Sequence, residues 1–254
     1  MNKETITFIG NGNMALSIAL GLKEIFNIEV VGRSRESIEK FEKKLGITIV
    51  KHLLDDFNIT NKVVILCVKP ANIQVVGAKL NGVANELFSV LAGTTLSMLK
   101  ENIKAHSTVR VMPNLAASVG GSMTTLTGDD KLKEKSCKLF ESIGKTLWLH
   151  SEKELDIATG VAGSGPAYLA LVHEALCDGA VKQGMKRTDA VKVANGLFQG
   201  FGDLIQTMGA ANLKDGVMSP GGTTAAAYSS LEKGNVRFSF IDAVESAFKV
   251  TQKK

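Results

Sequence analysis

At 254 residues with 44% hydrophobic content, the chain is long enough to bury a large core in one or two domains and too apolar for wholesale disorder. A formal charge of +5 is spread over short patches, with no concentrated basic stripe or base-stacking aromatics, which excludes a nucleic-acid platform. The three cysteines, Cys67, Cys137 and Cys177, lie scattered in apolar sequence, fitting reduced thiols in a cytoplasmic protein without a disulfide framework or thiolate metal site. No apolar run reaches about 18 residues without a charge, and the opening MNKETITFIGNG passes directly into a strand, so neither a membrane span nor a signal peptide is expected.

Thr5–Ile9 reads as an apolar strand followed at once by Gly10-Asn11-Gly12-Asn13-Met14-Ala15 and a helix. This is G-x-G-x-x-A in the context a dinucleotide needs. Gly10 permits the tight turn, Gly12 lets a diphosphate approach the backbone, and Ala15 lets the helix pack on the sheet. Asn11, Asn13 and Met14 supply amides at the helix start. Ile28–Val31 is the second strand, and it ends in Gly32-Arg33-Ser34, where an NAD-selective enzyme places Asp or Glu. A guanidinium and a hydroxyl suit a 2′-phosphate, favouring NADPH, with NADH possible. The competing reading makes Arg33 a solvated turn residue before a charged helix. Further strands are expected around Thr48–Val50, Val63–Val68, Phe88–Leu91 and Thr108–Met112, with Thr124–Leu126 and Thr146–Trp148 completing a parallel sheet. Their carboxyl ends place Val68, Lys69 and Pro70, then Ala92 and Gly93, then Met112 and Asn114 along the cofactor. Lys69 serves either as a cation at the site or as a cap on the sheet edge.

From about Ser151 the strand pattern stops, dividing the chain into a cofactor-binding domain, 1–150, and a helical one, 151–254. Ser164-Gly165-Pro166 opens a helix, Thr188 is placed to cap the next, and Leu197, Phe201, Leu204 and Met208 recur at helical steps. Small-residue faces of this kind point to a homodimer, against the alternative of ordinary packing within the chain. Lys214–Gly234 reads as a polar turn, then Ser219-Pro220-Gly221-Gly222-Thr223-Thr224, then a helix. Free amides, a positive dipole end and hydroxyls form a receptor for a small carboxylate; the competing reading is a tight turn capped by Ser219 or Thr223. The four histidines, His52, His106, His150 and His173, fit no metal-ligand spacing, and no proton donor for an alkoxide is evident. A protonated cyclic imine needs only orientation, a grip on its carboxylate and a hydrogen bond at its nitrogen.

Over essentially its whole length the chain resembles the pyrroline-5-carboxylate reductases. The matching stretches are GNGNMA (10–15), VKP (68–70), AG (92–93), RVMPN (110–114), GSGPAY (163–168), DGAVKQG (178–184), SPGGTT (219–224) and LEKG (231–234). The resemblance implies an N-terminal Rossmann-like parallel-sheet domain and an all-helical dimerisation domain, with dimers that commonly assemble into a decamer. It also implies reduction of (S)-1-pyrroline-5-carboxylate to L-proline with NAD(P)H, the last step of proline biosynthesis. By the same resemblance Ser219 and the amides around Gly221, Gly222 and Thr223 hold the carboxylate, Thr224 faces the ring nitrogen, and the partner subunit completes the pocket. Leu115-Ala116 stands where the family commonly has Thr-Pro, and Ala225 where a bulky apolar residue is usual. A hydroxyacid dehydrogenase-like enzyme is the nearest rival. It shares the glycine frame Gly160, Gly163 and Gly165, but Leu169 and His173 replace the Lys and Asn it requires. A non-catalytic NADP-binding regulator would have no need of the Ser219–Thr224 receptor.

Overall fold

The computed structural model describes residues 3–252. Among them, eight strands form one sheet in the order β10-β9-β8-β7-β5-β1-β2-β3. They are β1 (Thr5–Ile9), β2 (Asn27–Gly32), β3 (Val50–Leu53), β5 (Val63–Leu66), β7 (Glu86–Ser89), β8 (Thr108–Met112), β9 (Ser122–Gly128) and β10 (Gly144–Trp148). Two short strands, β4 (Phe57–Asn58) and β6 (Leu80–Asn81), pair apart from it. The central strands are continuous apolar runs because both faces are covered. On one face, Phe8, Val30 and Ile65 pack with Ile18, Leu22, Ile38, Phe41 and Phe140 from α1 (Asn13–Leu22), α2 (Arg35–Leu45) and α5 (Lys133–Phe140). On the other, Ile9, Val31, Val64 and Leu66 pack with Ile73, Val76 and Leu99 from α3 (Ile73–Gly77) and α4 (Leu96–Asn102).

Chain order reverses at β1, with β2 on one side and β5 on the other, so the sheet is doubly wound and its crevice opens between β1 and β5. The expectation of a wholly parallel sheet needs one correction: β8 and β9 are antiparallel, Val111 opposite Leu126. A 3-10 turn, Leu115–Val119, reverses the chain between them, and Gly120 ends it at φ 70°. The third strand also lies later than Thr48–Val50, because pairing with β2 begins at Glu29 opposite Val50.

The helices that follow are α6 (Glu152–Ala158), α7 (Gly165–Lys182), α8 (Arg187–Leu204), α9 (Ala210–Val217), α10 (Thr223–Lys233) and α11 (Val236–Gln252). A π turn, Thr159–Gly163, links α6 to α7. Two sequence expectations change here. Lys214 lies inside α9 rather than in a polar turn. The N-cap of α8 is Lys186, with no side-chain cap bond, so Thr188 does not cap it. The stretch Glu152–Lys182 is long and apolar enough by composition to cross a membrane. By contacts, one compact unit takes the chain up to Pro166 together with Glu245 onward, and the second is Ala167–Val244. Within the second unit only Cys177, Ala190 and Ala194 form a buried apolar cluster.

Candidate active site

The first-turn geometry follows from what each glycine excludes. Gly10 adopts φ 102°, and a Cβ there would stand 2.6 Å from the Cys67 carbonyl oxygen of the neighbouring strand end. Gly12, the N-cap of α1, faces open space, with nothing within 4 Å of where a Cβ would stand. One glycine therefore serves the turn and the other leaves room. Helix α1 takes its first backbone bond from Leu16 to Gly12 and has no acidic residue in its first turn, so the amides of Asn13, Met14 and Ala15 stand at a positive helix end. Gly32 at the end of β2 lets α2 close: a Cβ would lie 2.7 Å from Ile38.

A groove of about 670 Å³ runs over these elements at the switch point. Gly10, Asn11, Gly12, Arg33, Val68 and Lys69 line it, which unites six of the residues expected at the cofactor. Asn13 borders an adjoining hollow over α1 and α2. Ser34 is the N-cap of α2, its hydroxyl accepting from the Ser37 amide, so that oxygen is committed to the helix. Pro70 opens the 3-10 turn Pro70–Asn72. Ala92 is exposed, and Gly93 adopts φ 65° beside the Thr251 carbonyl. Met112 is buried at the end of β8. The groove also takes in Leu54, Asn72, Val75, Val76 and Lys79, which sequence reasoning missed. Their signal was positional: Leu54 follows β3 and the other four follow β5, at the carboxyl ends of strands on the two sides of β1.

The residues present fit a dinucleotide on two observations. The Asn11 side-chain nitrogen is buried without a hydrogen-bond partner, a cost that a phosphate oxygen removes. The open space at Gly12 lies at the free amides of α1, the arrangement that accepts a diphosphate. Cys67, also in the groove, is no nucleophile, since burial pushes its thiol far above the ordinary range.

Asn114 is committed within the chain. Its side-chain oxygen accepts from the Ala116 amide at 3.0 Å and its nitrogen donates to the Ala162 carbonyl, at 2.9 Å, in the π turn. It braces the end of β8 against that turn, and the side chain expected along the cofactor already has these two partners. Beside it lies a feature that sequence reasoning passed over. Arg110, 1% exposed on β8, donates to Glu152 at 2.9 Å and to Asp156 at 2.7 Å. Glu152 also accepts from the Leu96 amide at the start of α4, and Asp156 accepts from Gln252. One guanidinium thus ties the loop of Ala92 and Gly93 to α6 and to the end of α11. A charge in the middle of the apolar run Thr108–Met112 was the available sign.

In the second unit, residues 219–224 form a tight turn running into the start of α10. Gly221 adopts φ 69°, and the Gly222 amide donates to the Ser219 carbonyl, closing the turn. Gly222 is the N-cap of α10 and no side chain caps that end, so neither Ser219 nor Thr223 plays the capping role. The first intrahelical bond runs from Ala226 to Gly222, leaving the amides of Thr223, Thr224 and Ala225 without intrahelical partners. A Cβ on Gly222 would stand 2.4 Å from the Ser219 hydroxyl, so only glycine keeps that hydroxyl beside the helix end. Thr224 is half-buried on the first turn. His173 meets Asn195 at 2.9 Å and the Phe198 ring edge-on, a packing role.

A doubly wound sheet with a glycine turn at its switch point, followed by a helical half in which α10 starts without a side-chain cap, fits the class of dinucleotide-dependent oxidoreductases. Comparison with known proteins narrows the class. The profile for pyrroline-5-carboxylate reductase dimerisation matches residues 152–254, and that for NADP oxidoreductase, coenzyme F420-dependent, matches residues 5–92. The pyrroline-5-carboxylate reductase of Pisum sativum is 36% identical over 96% of this chain and 94% of its own length. Among solved structures, 1-pyrroline-5-carboxylate reductase from Streptococcus pyogenes superposes with a TM-score of 0.88 at 28% identity, over 100% of both chains. Plasmodium falciparum pyrroline carboxylate reductase with NADP bound gives 0.80 at 25% identity, covering 97% of this chain and 98% of that one. The chain belongs to the pyrroline-5-carboxylate reductase family.

Proposed function

We infer that this chain reduces (S)-1-pyrroline-5-carboxylate to L-proline with NADPH, the final step of proline biosynthesis. The observation that carries the reading is the pair of open helix ends: α1 over the groove and α10 carrying Ser219, Thr223 and Thr224. NADPH, when bound, supplies the hydride that adds to the imine carbon. The chain supplies the rest. Gly10, Asn11, Gly12, Asn13 and Met14 receive the diphosphate, and Arg33 meets the 2′-phosphate, with Ser34 holding that turn as the N-cap of α2. Val68, Lys69 and Pro70, then Ala92 and Gly93, then Met112 and Asn114 border the nicotinamide half, Asn114 by bracing the strand end.

Ser219, Gly221, Gly222 and Thr223 hold the substrate carboxylate, and the Thr224 hydroxyl accepts from the protonated ring nitrogen. Alignment of an already electrophilic carbon replaces a proton donor. Residues 1–150 then serve the cofactor, and 151–254 serve substrate binding and dimerisation, in keeping with the family profile over 152–254. The apolar side chains of the helical half belong against a second copy of the chain rather than in lipid, in keeping with the dimerisation profile over this half. Scattered unpaired cysteines fit a cytoplasmic enzyme. Oxidation of NADPH on addition of pyrroline-5-carboxylate, with no oxidation across a panel of hydroxyacids and their oxo forms, is the expected result. Turnover of a linear oxo acid without turnover of the cyclic imine would overturn the assignment.

A further inference from the structure

Besides Arg33 and Lys69, a third cation lines the groove. Lys79 follows α3, and its side chain lines the same cavity together with Leu54, Val75 and Val76. Val75 is 63% exposed, an apolar wall with the area to take a flat ring. The backbone at Lys79 is fixed on both sides: its amide donates to the Val76 carbonyl at 3.0 Å, and its carbonyl accepts from Phe57 at 3.0 Å. Its ammonium, by contrast, pairs only loosely with Asp55, at 4.0 Å, and the Asp55 side chain is 84% exposed. A pair that long and that open to solvent contributes little and is exchanged readily for a better anion. Thus the stem of Lys79 is anchored at the groove while its head is free to change partner.

Charge balance says which partner. A phosphate monoester carries about −1.5 to −2 at neutral pH, and a single guanidinium leaves part of that charge uncompensated. Lys69 also lines the groove, three residues after β5. Arg33 follows Gly32, whose carbonyl accepts from the Leu54 amide, and Leu54 precedes Asp55, the partner of Lys79, so the chain links both cations to the ends of β2 and β3. We propose that Lys79 is a specificity-determining contact to the 2′-phosphate of the cofactor, exchanging Asp55 for that phosphate on binding. Resting on the reading of this groove as the adenosine 2′-phosphate site, preference for the phosphorylated adenosine is then shared by two cations from separate elements, Arg33 after β2 and Lys79 after α3.

The test uses direct binding rather than turnover. Adenosine 2′,5′-bisphosphate and adenosine 5′-monophosphate are titrated calorimetrically into the full chain and into Lys79→Ala, Lys79→Arg and Arg33→Ala. Lys79→Ala is expected to weaken the bisphosphate about five- to tenfold, to leave the monophosphate unchanged, and to lower the salt dependence of bisphosphate binding. Lys79→Arg restores the affinity, and melting temperatures stay at the wild-type value because the side chain is exposed. Equal loss of both nucleotides in Lys79→Ala would overturn the proposal by making Lys79 a general anion contact. Unchanged binding in Lys79→Ala, beside selective loss in Arg33→Ala, would also overturn it while leaving the groove as the 2′-phosphate site. If neither variant alters the preference, the underlying placement of the phosphate fails as well.

Discussion

At the scale of single residues, Thr224 is the group whose role separates chemistry from structure. It sits half-buried on the first turn of α10, whose N-cap is Gly222 and which no side chain caps. Removing its hydroxyl therefore costs the helix no cap, and the usual loss of about 1 kcal/mol on deleting a capping group is not expected. Thr224→Ala should leave the melting temperature and NADPH binding at wild-type values. It should lower kcat roughly 10- to 150-fold, the equivalent of about 1.5–3 kcal/mol for a hydrogen bond to a charged group. Ser219→Ala should instead raise KM for the imine, since carboxylate binding and hydride alignment are separate tasks. Steady-state kinetics and a melting curve on one sample of each variant distinguish the two; normal kcat in Thr224→Ala would remove it from the chemistry. Arg33, exposed at the groove, gives the second residue-scale expectation. Arg33→Ala should raise KM for NADPH roughly tenfold with little change for NADH, because the lost contact is to a phosphate that NADH lacks. Equal rises with both cofactors would mean that Arg33 shapes the turn instead.

At the scale of elements, the strand–turn–helix at the N-terminus makes opposite demands on two glycines separated only by Asn11. Gly10→Ala places a methyl 2.6 Å from the Cys67 backbone at φ 102°, so it should lower the melting temperature sharply. Gly12→Ala meets nothing in the protein and should melt like wild type, yet bind NADPH at least roughly tenfold more weakly, because the methyl occupies the diphosphate's approach. Fluorescence titration beside thermal melting reads both, and full NADPH affinity in Gly12→Ala would displace the cofactor from this turn. The neighbouring strands hold an acid-sensitive element. Burial works to raise the Glu29 carboxyl, but hydrogen bonds from Lys62, at 2.8 Å, and Thr7 outweigh it, and the net shift is downward. A carboxyl held below its unfolded value stabilises above that value and loses the contribution as pH falls through the lowered one. Glu29→Gln should thus be about 1.5–3 kcal/mol less stable at pH 7, with the gap closing in acid; denaturant melts across pH would show a constant gap if Glu29 were not titrating. These elements also mark how far the sequence was legible. Thr108–Met112 and the glycine turn stood out because apolar runs and glycine spacing are local signals. Helix α9 was hidden by Gly216 and the polar Lys214-Asp215, and the antiparallel turn of β9 was hidden because pairing direction is not written in either strand. The brace from Asn114 to Ala162 joins residues 48 apart, and no pattern within either stretch announces it.

At the scale of the whole molecule, the helical unit does not account for its own apolar residues. Ala167–Val244 buries Cys177, Ala190 and Ala194, while Leu171, Val193, Leu197, Phe201, Phe238 and Ile241 are each between 48% and 66% exposed. Single exposed apolar side chains are ordinary, but so many large ones across α7, α8 and α11 form surface that water covers at a cost. At about 25 cal/mol per Å² of apolar area removed from water, a second copy seated on these helices supplies stabilisation that the small internal cluster cannot. If the proposed dimer forms on these faces, folding of this half and association become one event, and stability should rise with protein concentration. The expected species in solution is a dimer or a multiple of it, with none at 27.0 kDa under assay conditions. Phe201→Glu places a charge on the exposed face of α8 without touching the groove, so it should dissociate the assembly and lower the melting temperature, while adenosine 2′,5′-bisphosphate still binds to the N-terminal unit. Light scattering and sedimentation, run on the same samples as the activity assay, decide the matter. A fully active wild-type chain sedimenting as a single 27.0 kDa species would show that the apolar helix faces serve something other than a second copy.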